Sequence, residues 1–206
     1  IVFWLFWDLA SLPVYYYWTK NMTWKIGNFT VPTTWFDALS ALYCVILGPI
    51  TALLWQRLEA RPQGDMSIFK KLSIALALLG CSYIYFAVID TVRGSSKPSC
   101  LWLAIFLVFL ELGEMFFSPL GNAFIAEYAP SRLLAIMFAV WNLGIFAAGK
   151  LYANAYAFAF GGKFTFAHAC IGVSILAFVC TIILLALDKP LRSLVEKKED
   201  QVEAEA

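Results

Sequence analysis

The sequence predicts an all-α integral membrane protein in which six transmembrane helices form one bundle. Of its 206 residues, 62% are hydrophobic and 14% are charged, with a mean hydropathy of +0.76, whereas soluble domains are about 45–50% apolar and about 25% charged. The apolar residues fall into six runs, each near or above the about 20 residues that a helix needs to cross a bilayer core. Because lipid cannot satisfy open backbone groups, we expect these runs to be helices. The predicted helices cover about 1–18, 35–57, 69–92, 100–126, 132–159 and 165–187.

The first predicted helix begins within an apolar run, IVFWLFWDLASLP, with no initiator methionine and no basic segment ahead of it. This pattern is not typical of a signal peptide, and we expect the chain to be a fragment of a longer protein. Asp8 lies in this run, and an acid within a span usually faces the bundle interior. The alternative is that Asp8 lies near enough to the helix end to reach water. Trp4 and Trp7 could face lipid, which is the default for a lone aromatic residue.

The connections between the predicted helices alternate in charge. One side of the membrane would carry nine Lys and Arg residues and the opposite side five, and the more basic side is usually cytoplasmic. We therefore expect a cytoplasmic tail over 189–206, following a transmembrane domain over 1–188. Six crossings place the other end of the chain in the cytoplasm too, in a plasma or inner membrane. The nine residues are Arg57, Arg61, Lys70, Lys71, Arg132, Lys189, Arg192, Lys197 and Lys198; the five are Lys20, Lys25, Arg93, Lys97 and Lys163.

The fourth predicted helix contains two acids, in the segment ELGEMFFSPLG. A carboxylate at bilayer depth costs about 2.5–3.5 kcal/mol, so acids within spans are rare and commonly functional. Glu114 lies near the middle of the helix, and Glu111 lies three residues earlier. A buried carboxyl group can exchange a proton or, when ionised, hold a substrate ammonium group. The alternative is a carboxylate that is merely held by a neighbouring helix.

A proline interrupts the same helix shortly after the acids. Pro119 follows Ser118 and removes one backbone donor, so we expect a kink that could serve as a gate or be static. Gly113 and Gly121 flank this site and permit close helix approach. The fifth predicted helix carries Trp141 and Asn142 in an otherwise apolar sequence.

Several classes of function are not indicated by this sequence. The net charge of +1 gives no sign of nucleic-acid binding, and the five cysteines form no metal-binding or disulfide pattern. We find no nucleophile, metal cluster or acid–base pair, and therefore predict neither an enzyme nor a cofactor. The residues alone indicate ion- or proton-coupled transport, with the substrate open.

Four stretches resemble the proton-dependent oligopeptide transporters (POT/PTR), a branch of the major facilitator superfamily. The segment ELGEMFFSPLG with the following EYAP is similar to the tenth-helix pattern of that family, and APSRLLAIMFAVWNL resembles the stretch after it. The second helix, VPTTWFDALSALYCVILGPITALLWQRL, shows the Val-Pro-x-x-Trp-Phe opening and a late proline, Pro49. The first helix, VFWLFWD, resembles the start of the seventh helix. The chain would then be the C-terminal half of a major facilitator fold.

The resemblance implies roles for individual residues. Glu114 would contact the N-terminal amine of a peptide, and Asp8 would pair with a basic residue of the missing N-terminal six-helix half in a gating salt bridge. Trp4 and Trp141 would border the central cavity. The substrate-binding prediction also includes Ser118 and Asn142, and the kink or gate prediction includes Pro119, Pro49 and Gly121.

The sequence also departs from the family pattern. Ser40-Ala41 stands where the family has Asn-Pro, Asn142 stands where an aromatic residue is common, and Glu111 is outside the pattern. These departures leave the peptide preference open.

The resemblance implies the C-terminal half of a proton-coupled di/tripeptide symporter that works by alternating access. A proton gradient would be the driving force, and no metal or other cofactor is expected. The expected partners are a di- or tripeptide, protons, the lipid bilayer and the missing half. The alternatives are a major facilitator for another small solute and a half-length membrane subunit that transports nothing.

Overall fold

The computed structural model describes residues 1–11, 15–62 and 65–194, and only the backbone of Tyr15 and Tyr16. The first predicted helix, 1–18, is present as two helices: α1 covers Val2–Leu9 and α2 covers Tyr15–Asn21. Residues 12–14, between these two helices, lie outside the described residues, so the continuity of the first helix over 1–18 stays a prediction. The backbone at residues 10–11 widens into a π-helical turn, which interrupts the regular i→i+4 hydrogen bonding.

The other five predicted helices are confirmed, each to within a few residues. They are α3 (Thr34–Glu59), α4 (Ile68–Arg93), α5 (Leu101–Tyr128), α6 (Leu134–Phe160) and α7 (Phe166–Ala186). All five are long and apolar enough to cross a membrane, α6 together with the short 3-10 helix Ser131–Leu133 that precedes it. Helical backbone also covers residues 188–194. The rest of the predicted tail, 195–206, lies outside the described residues.

The centre of the bundle is α4, which packs against α5 on one side and α7 on the other. Close approach of α4 and α7 depends on Gly80, since a Cβ atom there would lie 3.1 Å from the ring of Phe178. At the same crossing the Ser174 hydroxyl donates to the Gly80 carbonyl over 2.8 Å. A small residue therefore brings the two backbones near enough for an interhelical hydrogen bond.

The outer helices attach to this centre from two sides. α3 packs against α5, and α1 packs against α6 and touches α4. The Tyr83 side chain of α4 is fully buried, and its hydroxyl donates to the Phe6 carbonyl of α1 over 2.6 Å. This bond fixes α1 on the bundle and so helps to place Trp4, Trp7 and Asp8.

The connection between α2 and α3 contains a short β-hairpin. Strands β1 (Lys25–Ile26) and β2 (Phe29–Thr30) form a hairpin, in which Gly27 adopts a φ of +61° that favours glycine. Arg93 at the end of α4 bonds both Asp90 and the Tyr17 hydroxyl of α2. This network ties α2 to α4.

Much of α3 and α6 is apolar and exposed. On α3 the exposed side chains include Val45, Ile50 and Leu53, and on α6 they include Val140, Leu143 and Phe146. Their exposure is typical of helices that face lipid or another part of a membrane protein.

Candidate functional site

The two acids of α5 lie at its packing face with α3. Glu111 is only 1% exposed, and Glu114 is partly buried. A carboxylate oxygen of each lies within 4.8 Å of the other and of the Cys44 sulfur. The three-residue spacing puts both acids on neighbouring sides of one helix, as the sequence predicts.

Glu111 is held by two donors from α3. The Ser40 hydroxyl donates to its Oε1 in a short hydrogen bond, and the Cys44 thiol donates to its Oε2 over 3.0 Å. Ser40 and Cys44 are four residues apart, so they lie one above the other on the helix. Two departures from the family pattern, Ser40 and Glu111, therefore contact each other.

An aromatic cluster lies next to the acids. Phe117, three residues after Glu114, packs against Trp4 at a ring distance of 6.4 Å and against Trp141 at 5.5 Å. It also stacks on Phe3 at 3.8 Å. Trp4 is thus partly buried and packed against the core. The structure brings Trp4 and Trp141 to one side chain, Phe117, which the sequence did not single out.

The segment after the acids continues as helix. α5 runs without interruption through Pro119, which is exposed. The Ser118 hydroxyl oxygen is buried and has no hydrogen-bond partner among the described residues. Gly121 is buried against Trp141, because a Cβ atom at Gly121 would lie 2.3 Å from Cη2 of that indole.

Two other predicted site residues lie on exposed surface. Asn142 is exposed on α6, and its amide donates to the Phe138 carbonyl one turn earlier over 2.8 Å. Pro49 is an exposed residue within the continuous helix α3. Within the described residues, neither of them forms a hydrogen bond or salt bridge with the acids.

Asp8 lies on the side of α1 that faces α6. Its Oδ2 would be 3.9 Å from a Cβ atom at Gly149. Within residues 1–11, 15–62 and 65–194 it forms no salt bridge. The resemblance assigns the pairing partner of Asp8 to the N-terminal half of the family's fold, so the gating role stays a prediction.

A cavity of about 260 Å³ opens beside Glu111, between α1, α3 and α5. Its polar wall consists of Glu111, Ser40, Asp37, Ser11 and the Trp7 indole. Ser11 Oγ and Trp7 Nε1 are buried polar atoms that no described group hydrogen-bonds. This cavity can therefore accommodate a polar guest.

A larger cavity of about 430 Å³, lined by charged residues including Asp65, Lys71 and Glu127, lies away from the acids.

Comparison with known proteins finds a family model and several relatives that match this sequence. A family model described as "PTR2: POT family" matches residues 1–167. The peptide transporter YePEPT of Yersinia enterocolitica subsp. palearctica is 29% identical over 182 residues, which are 85% of this chain and 35% of that protein. A di-/tripeptide transporter of Lactococcus lactis subsp. cremoris is 29% identical over 175 residues, 84% of this chain and 34% of that protein.

Solved structures show the same fold. One is a crystal structure of a POT family transporter in complex with 5-aminolevulinic acid, which matches with a TM-score of 0.79 at 22% sequence identity. The match covers 92% of this chain and 39% of the transporter. Another is a crystal structure of peptide transporter POT in complex with sulfate, which matches with a TM-score of 0.79 at 24% sequence identity. That match covers 96% of this chain and 38% of the transporter. The chain spans about a third of the length of the curated relatives described above.

Proposed function

Because the chain belongs to the POT family, we propose that it forms the C-terminal half of a proton-coupled di/tripeptide symporter. The observation that carries the proposal is Glu114, a partly buried carboxyl group midway along an apolar spanning helix and next to a second acid. A carboxyl group at this depth requires compensation. A peptide ammonium group supplies it when the substrate is bound.

The surrounding residues suit a peptide site. Trp4, Phe117 and Trp141 form an aromatic wall beside Glu114, and aromatic rings offer large apolar contact surfaces for peptide side chains. The Ser118 hydroxyl, which is buried and has no hydrogen-bond partner within the described residues, lies one turn beyond Glu114, where it can donate to or accept from a bound peptide.

Transport requires two halves that move against each other. In alternating access the substrate binds near the bilayer midplane between two bundles, which rock around it. The exposed apolar faces of α3 and α6 are available for an N-terminal six-helix half. In this arrangement Asp8 supplies one partner of a gating salt bridge, while Pro119, Gly121 and Pro49 lie in helices that bend or slide as the gate moves.

The protein is an integral multi-pass membrane protein of a transporter family. We place it in a plasma or inner membrane with both termini cytoplasmic, because the connections on that side carry more Lys and Arg. The proton gradient is the driving force, and no metal or cofactor takes part.

Uptake of a labelled dipeptide by the native polypeptide in proteoliposomes tests the proposal. We expect Glu114→Gln to reduce uptake at least tenfold while the protein still inserts into the membrane, because the neutral amide cannot offset the ammonium charge. Glu127→Gln is the matched control, since Glu127 is an exposed glutamate on the same helix. Uptake by Glu114→Gln that equals the control would refute the role of Glu114.

A further inference from the structure

We propose that the apolar groove between α6 and α7 binds one acyl chain of a bilayer phospholipid, whose phosphate group contacts Lys163 and His168 at the mouth of the groove. The inference goes beyond the proposed function, because it concerns a lipid site on which no peptide contact depends. It requires only that α6 and α7 span a membrane. The acids of α5 do not line this groove.

The groove is a cavity of about 370 Å³ that α1, α6 and α7 line together. Ala159 of α6 and Gly172 of α7 are among the small residues that leave this space, and a Cβ atom at Gly172 would have no neighbour within 4 Å. Phe158, Gly172 and Leu176 line the groove and are exposed, so the groove opens to the outside of the bundle. A ligand can therefore enter it sideways.

The lining of the groove favours hydrocarbon over water. Apart from His168, every residue that lines the groove is apolar. A bound water needs about two to four polar partners, which these residues do not supply. Hydrocarbon in the groove would instead gain dispersion contacts with the apolar walls. Because α6 and α7 are apolar spanning helices, the hydrocarbon beside them is the acyl chain of a membrane lipid.

The depth of the groove matches one leaflet of a bilayer. The groove extends along α7 from His168 to Leu176, a rise of about 12 Å. One leaflet contributes about 15 Å, half of the hydrocarbon core. Since α7 begins at Phe166, the groove starts at the end of the span, where lipid headgroups lie. An acyl chain that enters beside His168 would reach close to the bilayer midplane.

Two groups at the mouth of the groove are complementary to a phosphate. Lys163 lies in the connection between α6 and α7, and its Nζ is 5.9 Å from the ring centroid of Phe158, which lines the groove. A lysine ammonium group forms charge-assisted hydrogen bonds with phosphate oxygens. The Thr165 hydroxyl accepts from the His168 backbone N–H, so its own proton can go to Nδ1 of that imidazole. Nε2 is then a hydrogen-bond donor for the phosphate.

The groove belongs to the lipid-facing surface of α7. The exposed residues of α6 that are available to the missing half, such as Val140 and Phe146, precede the groove, which α6 lines only from Ala155 onward. On α7 the exposed side chains of Ile175 and Val179 continue the apolar surface beside the groove and beyond it. The groove is therefore continuous with a surface that is typical of contact with a bilayer.

Native mass spectrometry of the native polypeptide tests the site. The protein is titrated with dioleoylphosphatidylglycerol in detergent micelles, and the tightly bound lipids are counted after the detergent is removed. We expect Gly172→Leu to retain one lipid fewer than the wild type, because the leucine side chain fills the groove. Ile175→Phe adds bulk to the exposed face of the same helix outside the groove, and should match the wild type. Equal lipid counts for Gly172→Leu and the wild type would overturn the proposal.

A second variant tests the headgroup contact without changing the groove. Lys163→Gln should weaken binding of the same lipid at least threefold at low salt, because it removes the charge that faces the phosphate. Lys97→Gln is the matched control, since Lys97 is an exposed lysine in the connection between α4 and α5, which is expected on the same side of the membrane. Equal weakening by both variants, or by neither, would overturn the phosphate contact.

Photo-cross-linking in proteoliposomes identifies what occupies the groove. A phosphatidylglycerol with a diazirine on one acyl chain is irradiated with the native polypeptide, and the labelled peptides are mapped. We expect labelling of residues 155–159 of α6 that Gly172→Leu abolishes and Ile175→Phe preserves. If these residues are not labelled in the wild type, the missing half or another protein segment covers the groove, and the lipid site is refuted.

Discussion

Gly121→Ala tests the packing that holds the aromatic wall in place. The Cβ atom of alanine would lie 2.3 Å from Cη2 and 2.9 Å from Cζ3 of Trp141, distances that real contacts do not allow. Either the indole or helix α6 must therefore move. Overpacking of this kind costs about 1–3 kcal/mol, while replacement of a helical glycine by alanine contributes about 0.5–1 kcal/mol of stability. We expect a net loss of about 1–2 kcal/mol in the free energy of unfolding.

The control is a glycine at which the same change meets open space. Gly172 lies within α7, and a Cβ atom there would have no neighbour within 4 Å. Gly172→Ala should therefore be neutral or stabilising, by up to about 1 kcal/mol. The assay is denaturant unfolding of the purified protein in detergent micelles, in which the two variants are compared with the wild type.

A double mutant identifies the cause of the loss. Trp141→Phe removes the part of the indole that would collide, so it should recover stability in the Gly121→Ala background more than it does in the wild type. We expect a coupling free energy of at least about 1 kcal/mol between the two sites. If Gly121→Ala and Gly172→Ala change stability alike, or if the two sites prove additive, Trp141 does not pack on Gly121 and the description of the wall is wrong.

Two further predictions concern α1. Tyr83→Phe removes the buried hydrogen bond to the Phe6 carbonyl and should lower the free energy of unfolding by about 1 kcal/mol. The control, Tyr85→Phe, removes a more exposed hydrogen bond to the Trp102 carbonyl and should lower the free energy of unfolding by less. A loss in Tyr85→Phe that equals or exceeds the loss in Tyr83→Phe would contradict the buried position of Tyr83. Asp8→Asn should slow peptide uptake by the intact transporter in proteoliposomes several-fold, because it weakens the gating salt bridge. Uptake kinetics equal to those of the wild type would contradict a gating role for Asp8.

The spanning helices were predictable because each apolar run is bounded by charged or turn-forming residues. α4, for example, begins at Ile68, beside the basic residues Lys70 and Lys71, and ends at Arg93, which is followed by Gly94 with a φ of +55°. The π-helical turn at residues 10–11 was not predictable, because IVFWLFWDLA is uniformly compatible with a regular helix. Such a turn involves local backbone geometry that hydrophobicity does not encode.

The site was predictable only in part. Rarity of acids in spans was enough to single out Glu111 and Glu114. The bond from Ser40 to Glu111 joins residues 71 positions apart, so it depends on how α3 packs on α5. A signal was nevertheless present, since Ser40 and Cys44 are polar residues that lie one turn apart on one face of α3. Asn142 was also singled out as a polar residue within a span. Its side-chain amide donates to the Phe138 carbonyl on the preceding turn of the same helix, so a polar residue in a span can satisfy its hydrogen bonds locally.

The central claim is that this chain is half of a transporter that uses a proton gradient to accumulate peptides. The most direct measurement is uptake of labelled Ala-Ala into proteoliposomes that contain the native polypeptide, encoded by the full reading frame around the Ile1 codon, under an imposed inward proton gradient. The account predicts accumulation above the external concentration that a protonophore abolishes, together with competition by unlabelled Ala-Ala but not by its N-acetylated form. Uptake that only equilibrates, or that N-acetyl-Ala-Ala inhibits equally well, would contradict it.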